Sequence, residues 1–363
     1  MNSTKDLSNV RFTKLEMANS HVQNELNAFV QVVLGSPCAD QVCSIIIEGS
    51  FGRGEGGVIE EEGSFISIND YDFLLVVQNR IEQTEIEKIK EAFHRMSTVW
   101  RVDIAQYAVS ELSKLKPTLK NFDLKYGSRI MYRKKSVLEV IPDWNPNNIF
   151  IREAEKLLYT RAISFILTLK NGRAPLNEEL DFNDVQQLSK AVIAAYDSWL
   201  IERGEYNCSY ETRKNKLLLE SKFSEEEKRT ISWIYDFKLL PSKRYGLPNT
   251  EFYRFCLKTY LSMFDHLNKN MYGYRYWGIK QYHIACLLSV RKWLIVSVQK
   301  LMRNDSSYYK SLMLSLSQYF LLINIYMGLD TELVKAIKFY KLGFKLNNKN
   351  KNDLISAIIN SRM

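Results

Sequence analysis

Glu48-Gly49-Ser50-Phe51-Gly52-Arg53-Gly54-Glu55-Gly56-Gly57 leaves the apolar run Ser44-Ile45-Ile46-Ile47, and Asp70-Tyr71-Asp72 opens the next one, Phe73-Leu74-Leu75-Val76-Val77. A short β-branched run ending in Gly-Ser reads as a buried strand feeding a turn, and the second run reads as another strand. Gly52, Gly54 and Gly57 satisfy the Gly-x-Gly-x-x-Gly spacing. A dinucleotide fold, however, needs the third glycine to open a crossover helix, and VIEEEGSFISIN (Val58 to Asn69) is too short and irregular for one. There is no Gly-Lys-Ser/Thr, His-Arg-Asp or Asp-Phe-Gly, which excludes a Walker-type phosphate loop and a protein kinase.

Outward from this stretch, Thr84 to Met96 reads as a helix with a Thr cap and a Glu three residues later. Trp100 to Val109 alternates as a third strand, and SRIMYR and VLEVI (Val137 to Ile141) are candidates for more. Upstream, Val10 to Ser36 carries apolar residues at helical spacing with Gly35 near the stop. Beyond IPDWNPNNIFI the pattern turns almost wholly helical, from REAEKLLYTRAISFILTLK through DVQQLSKAVIAAYDSWLIERG to YHIACLLSVRKWLIVSVQKLM. The expectation is an α+β fold: a small mixed sheet with helices over residues 1–150, then an all-α helical bundle over 151–363.

The 363 residues are 46% hydrophobic and 25% charged with 15 Gly and 7 Pro, which excludes collagen-like and disordered classes. The net charge of +9 is uneven: residues 1–150 hold 17 basic and 20 acidic side chains, and the remainder 33 and 21. A basic second half attracts anionic ligands. The 5 cysteines form no Cys-x-x-Cys and no zinc pattern, so they read as reduced thiols. MNSTKDLSNVRF has no apolar signal core, so a cytoplasmic location is expected. Ser311 to Leu329 is free of charge but carries three Ser, a Gln and an Asn, and reads as a buried helix, not a membrane span. Arg275 and His283 stand too far apart to form a ribonuclease-type pair.

The chemistry converges on three acids. Residues i and i+2 of a strand share a face, so the Asp70 and Asp72 carboxylates converge while Tyr71 turns away. A bound divalent cation relieves their repulsion, and oxygen-only ligands suit Mg²⁺. Asp103, between apolar neighbours in Trp100-Arg101-Val102-Asp103-Ile104, is costly there unless paired or metal-bound. Gly49-Ser50 offers backbone N–H groups and a hydroxyl to a phosphate.

At IIIEGSFGRGEG, NDYDFLLVV and WRVDIAQY the sequence resembles the nucleotidyltransferase superfamily that includes DNA polymerase β, the aminoglycoside nucleotidyltransferases and the uridylyltransferases of nitrogen regulation. That pattern is an apolar strand, Gly-Ser, an Asp-x-Asp flanked by hydrophobics, and a third acid on a later strand. The resemblance implies that Gly49 and Ser50 hold a nucleoside triphosphate, that Asp70 and Asp72 bind two Mg²⁺, and that Asp103 shares a metal and activates the acceptor hydroxyl. Arg53 would contact phosphate. The 19 residues between Ser50 and Asp70 exceed the usual gap and include Glu60, Glu61 and Glu62. SKAVIAAYDSWLIERGEYNCSYETRKNK further resembles the helical domain of antibiotic-modifying nucleotidyltransferases, which nominates Asp197, Tyr206, Arg213 and Lys216 as acceptor-binding residues.

The expected activity is Mg²⁺-dependent transfer of a nucleoside monophosphate, AMP from ATP or the equivalent from another nucleotide, to a hydroxyl. The acceptor would be a small molecule or protein in preference to nucleic acid. The alternatives are a nucleotide-binding, antitoxin-like module without turnover and a nucleic-acid tailing enzyme. For Asp197 and Tyr206 to share a cleft, the helix through Ala191 to Glu202 must stop near Gly204 and turn Asp197 toward the three acids.

Overall fold

The computed structural model describes residues 10–133, 137–168, 175, 179–242 and 249–272. The helix expected from Tyr282 onward, Arg275, His283, Cys286 and the uncharged Ser311 to Leu329 stretch lie outside them. The chain divides into two compact units, Met1–Phe150 with Arg203–Arg244, and Ile151–Glu202 with Tyr245–Met363. Arg203–Arg244 thus groups with the N-terminal residues.

In the first unit, β1 (Val42–Ile47), β2 (Val58–Glu61), β3 (Ser64–Ser67), β4 (Tyr71–Val77), β5 (Val102–Ala108) and β6 (Arg129–Arg133) are joined by α1 (Asn19–Leu34), α2 (Gly49–Arg53), α3 (Gln83–His94), α4 (Val109–Leu112) and α5 (Leu119–Gly127). Four strands form a mixed sheet in the order β5-β4-β1-β6. β1 runs antiparallel to β4 and β6, and β4 runs parallel to β5.

This sheet is buried on both faces, which is why β1 and β4 read as continuous apolar runs. On one face Ile45, Ile47, Phe73 and Leu75 meet Val22, Leu26, Phe29 and Val33 of α1 and Ile86, Ile89 and Phe93 of α3. Phe29 stacks on Phe73 and meets Phe93 edge-on, with ring centroids 3.5 and 5.3 Å apart. On the other face Ile46, Leu74 and Val76 meet Leu112 and Leu124, from α4 and α5. Asp72 has the parity of Leu74 and Val76, so it emerges on the α5 side.

Several local expectations are corrected. The first helix begins at Asn19 and not at Val10, because the Asn19 side chain accepts from the backbone N–H of Phe12 at 2.8 Å while Gly56 N–H donates to the Phe12 carbonyl. Tertiary pairing of the chain before Asn19 outweighs its helical periodicity. The third helix starts at Gln83 behind an extended Glu82, so Thr84 lies inside the first turn and caps nothing. VLEVI forms a single 3₁₀ turn, Leu138–Val140, while SRIMYR supplies β6. The insertion Val58 to Asn69 is a hairpin: β2 pairs with β3 through Glu61↔Ser64, and Glu62 and Gly63 turn at φ 51 and 78. Two successive positive φ values make the two-residue turn whose twist matches a hairpin.

Completing the first unit are α9 (Tyr210–Leu219) and α10 (Glu225–Leu239). In the second, α6 (Ile151–Arg161), α7 (Ile163–Leu167), α8 (Phe182–Glu202) and α11 (Asn249–Tyr272) pack together, so its described elements are all helical. REAEKLLYTRAISFILTLK, expected as one helix, is split at Ala162. α8 ends at Glu202, and Gly204 follows at φ +67, where an added Cβ would lie 1.5 Å from Asn147 Oδ1. The stop expected near Gly204 is therefore enforced by sterics as well as by conformation. The fold is α+β, a small mixed sheet with helices accompanied by a helical unit.

Candidate active site

Residues at the ends of β1, β4 and β5 build the site. β4 and β5 pair with Asp72 directly opposite Asp103, and Tyr71 opposite Val102. Asp70 lies one residue before β4. Asp70, Asp72 and Asp103 can each present one carboxylate oxygen with all three within 4.8 Å of one another. Tyr71 points the other way, as strand parity requires. Its buried hydroxyl donates to Glu25 Oε2 at 2.6 Å and lies 3.0 Å from Ser67 Oγ, which anchors the start of β4. Glu25 also accepts from Thr98 N–H and Oγ1 at 2.7 and 3.0 Å.

The end of β1 is held against β4 by Glu48 N–H donating to the Asp72 carbonyl at 2.8 Å. The chain then turns through Gly49 at φ +63, a conformation L side chains rarely adopt. An added Cβ there would stand 2.4 Å from Asp72 Oδ2, so only glycine lets this backbone approach the carboxylate. Ser50 follows in the first turn of α2, partly buried. A cavity of about 320 Å³ opens here, lined by Glu48, Gly49, Arg53, Asp72, Asp103, Lys120 and Asp123 among others.

Charge crowding shapes this cavity. Burial, with Asp70, Glu48 and Asp103 adding repulsion, pushes the Asp72 carboxyl from its usual 3.8 up to about 7, against the opposing pull of Arg53. Burial likewise raises Glu48 to about 7; Lys120 opposes the shift and Asp123 adds to it. Asp123 is also raised, first by burial, with Arg53, Arg213 and the Tyr206 hydroxyl working the other way. Three hard oxygen donors, one of them with its charged form disfavoured by burial and by its acidic neighbours, fit a divalent cation such as Mg²⁺.

The other expected residues have specific places. Arg53 Nε stands 3.5 Å from Glu55 Oε2, its Nη1 stands 3.5 Å from Asp123 Oδ2, and its guanidinium lies over the Tyr210 ring. Burial opposes its charge, and Arg213 adds to that, but Tyr210, Asp123 and Tyr206 together raise its pKa. Tyr206, buried, donates its hydroxyl to both Asp123 oxygens at 3.0 and 3.2 Å. Arg213, also buried, lies over the Tyr206 and Tyr210 rings, and Lys216 donates to the Glu205 carbonyl at 2.6 Å. Thus Arg53, Tyr206 and Arg213 are brought together around Asp123, and Lys216 braces the chain beside them. Asp197 belongs to the second unit, on the buried side of α8.

Reading the sequence missed Glu48, Lys120 and Asp123 as cavity residues, and Glu55, Asn69 and Lys238 as their supports. The buried Glu55 accepts from Ser209 Oγ at 2.8 Å and from the backbone N–H of Tyr210 and Glu211 at 3.0 and 3.3 Å. Lys238 Nζ donates to Asn69 Oδ1, the residue before Asp70, at 3.1 Å. Lys120 and Asp123, three apart on a helix, carry a usable one-face signal. For Lys238, 169 residues from its partner, the sequence carries no signal.

No protein-family model matches the chain, and no curated protein does. Solved structures do match. One is the crystal structure of spectinomycin adenyltransferase AAD(9) from Enterococcus faecialis with ATP and spectinomycin. The two chains are 11% identical, the match covers 66% of this chain and 98% of the other, and the TM-score is 0.43.

Proposed function

We propose that this chain is a Mg²⁺-dependent nucleotidyltransferase that moves a nucleoside monophosphate, AMP from ATP in the first instance, to a hydroxyl of a small-molecule or protein acceptor. The observation that carries it is the convergence of Asp70, Asp72 and Asp103 within 4.8 Å, with the glycine turn at Gly49 against Asp72. In the reaction the acceptor oxygen bonds to the α-phosphorus and the bond to the leaving pyrophosphate breaks. Two Mg²⁺ ions held by Asp70, Asp72 and Asp103 would supply the charge stabilisation this displacement needs.

The chain's own groups divide the remaining work. Gly49 lets the backbone approach, and Ser50 offers its hydroxyl and N–H to the triphosphate. Arg53, already charged and oriented by Glu55 and Asp123, faces the same cavity as Asp72. Asp103 is the acid to take the acceptor proton, since it shares the cavity and retains partial exposure. Asp197, Tyr206, Arg213 and Lys216 are proposed to serve the acceptor, the last three by holding the segment around Asp123 in shape.

The test supplies purified protein with Mg²⁺ and, in turn, each α-labelled nucleoside triphosphate, with a cell extract as the source of acceptor. Labelled product and pyrophosphate should appear with the native chain and vanish with Asp72→Ala. Binding of ATP with Mg²⁺ in calorimetry but no pyrophosphate over hours would make the chain a binding module. Labelling of oligonucleotides that weakens steeply with salt would make it a tailing enzyme.

A further inference from the structure

Arg101 lies one residue before β5 and two before Asp103, and its carbonyl accepts from Tyr71 N–H at 3.2 Å, which holds the chain at Arg101 beside the start of β4. The guanidinium grips the third acid with both arms: Nε donates to Asp103 Oδ1 at 3.2 Å, and Nη2 stands 2.9 Å from Oδ2. Both Asp103 oxygens are therefore engaged by a side chain that is itself 54% exposed. A divalent cation seated by Asp70, Asp72 and Asp103 needs one of those same oxygens.

We propose that Arg101 is a displaceable internal counter-ion: it competes with the metal for Asp103 and, once displaced, turns to the anionic polyphosphate brought in with the metal. The inference rests on reading Asp70, Asp72 and Asp103 as cation ligands. Its physical basis is exchange of one charge-assisted fork for another, since a guanidinium matches a carboxylate and a phosphate with the same paired donors. The three-acid site would then bind metal weakly alone and more tightly together with nucleotide. Arg101 is a positioning residue in this scheme and takes no part in the displacement itself.

The test measures Mn²⁺ affinity by electron paramagnetic resonance of the free aqueous ion, without nucleotide, for the native chain, Arg101→Gln, Arg101→Lys and Asp103→Asn. A non-hydrolysable ATP analogue is then titrated at saturating Mn²⁺ by calorimetry. Arg101→Gln should tighten Mn²⁺ by about two- to fivefold, the range an exposed ion pair supports. It should weaken the analogue by about tenfold. Arg101→Lys, which keeps the charge and loses the fork, should bind Mn²⁺ more like Arg101→Gln than like the native chain. Opposite movement of the two affinities supports the proposal, because loss of a purely structural contact would weaken both. Equal Mn²⁺ affinity in the native chain and Arg101→Gln, with Asp103→Asn weaker, overturns the inference and leaves Asp103 a ligand. Mn²⁺ affinity that none of the substitutions moves, Asp103→Asn included, overturns the cation site and the inference together.

Discussion

Asp72→Asn should stabilise the metal-free protein at pH 8, although it alters the residue on which the proposed chemistry depends. The carboxyl is raised from 3.8 to about 7, first by burial and then by Asp70, Glu48 and Asp103. A folded-state value above the unfolded one means that folding disfavours the ionised form. The penalty is fully present above about pH 7 and disappears as pH falls toward 4. The difference in values corresponds to about 4 kcal/mol at full ionisation, which solvent at this partly exposed group reduces to about 2 kcal/mol. For a unit of this size that is an upward shift of about 4–8 °C in melting temperature.

The assay is thermal unfolding in EDTA between pH 5 and pH 8, native chain against Asp72→Asn. The native protein should melt higher at pH 5.5 than at pH 8, and Asp72→Asn should flatten much of that slope, leaving the part due to Glu48. Mg²⁺ at pH 8 should restore the native protein and do little for the variant, because ligand binding to the folded state alone stabilises it. A variant that melts lower than the native chain at pH 8 in EDTA would show that the carboxylates are not in electrostatic conflict.

Gly49→Ala should cost about 1–2 kcal/mol for its left-handed backbone and weaken Mn²⁺ by displacing Asp72, whose Oδ2 the new Cβ meets at 2.4 Å; unchanged Mn²⁺ affinity would contradict the packing. Glu55→Ala should cost about 2–4 kcal/mol in urea unfolding, because Ser209 Oγ and the N–H groups of Tyr210 and Glu211 lose their acceptor beside Arg53. Protease cleavage within Arg203–Arg244 should rise in step, and a variant as resistant as the native chain would count against this anchoring role. Tyr71→Phe should cost about 1–3 kcal/mol by leaving Glu25 short of its 2.6 Å donor, with nucleotide binding retained since the ring faces away from the acids; a neutral result in chemical denaturation would place the hydroxyl outside the stability of this core.

Much of this protein is fixed by local sequence. The apolar runs of β1 and β4, the parity that sends Asp70 and Asp72 one way and Tyr71 the other, and the left-handed turn at Gly204 are all local properties. Strand periodicity and glycine stereochemistry act over two or three residues, so they can be read directly. The parallel pairing that sets Asp103 opposite Asp72 belongs to the tertiary structure. So do the ion pair of Arg53 with Asp123, and the hydrogen bonds of Lys238 to Asn69 and of Tyr206 to Asp123. These contacts join residues far apart in the chain, and no periodicity spans that distance. Only burial of the sheet on both faces, with Arg203–Arg244 gathered into the same unit, brings them together. The identity of the acids is written in the sequence, while the raised pKa values of Asp72 and Glu48 come from the burial and crowding that the fold imposes.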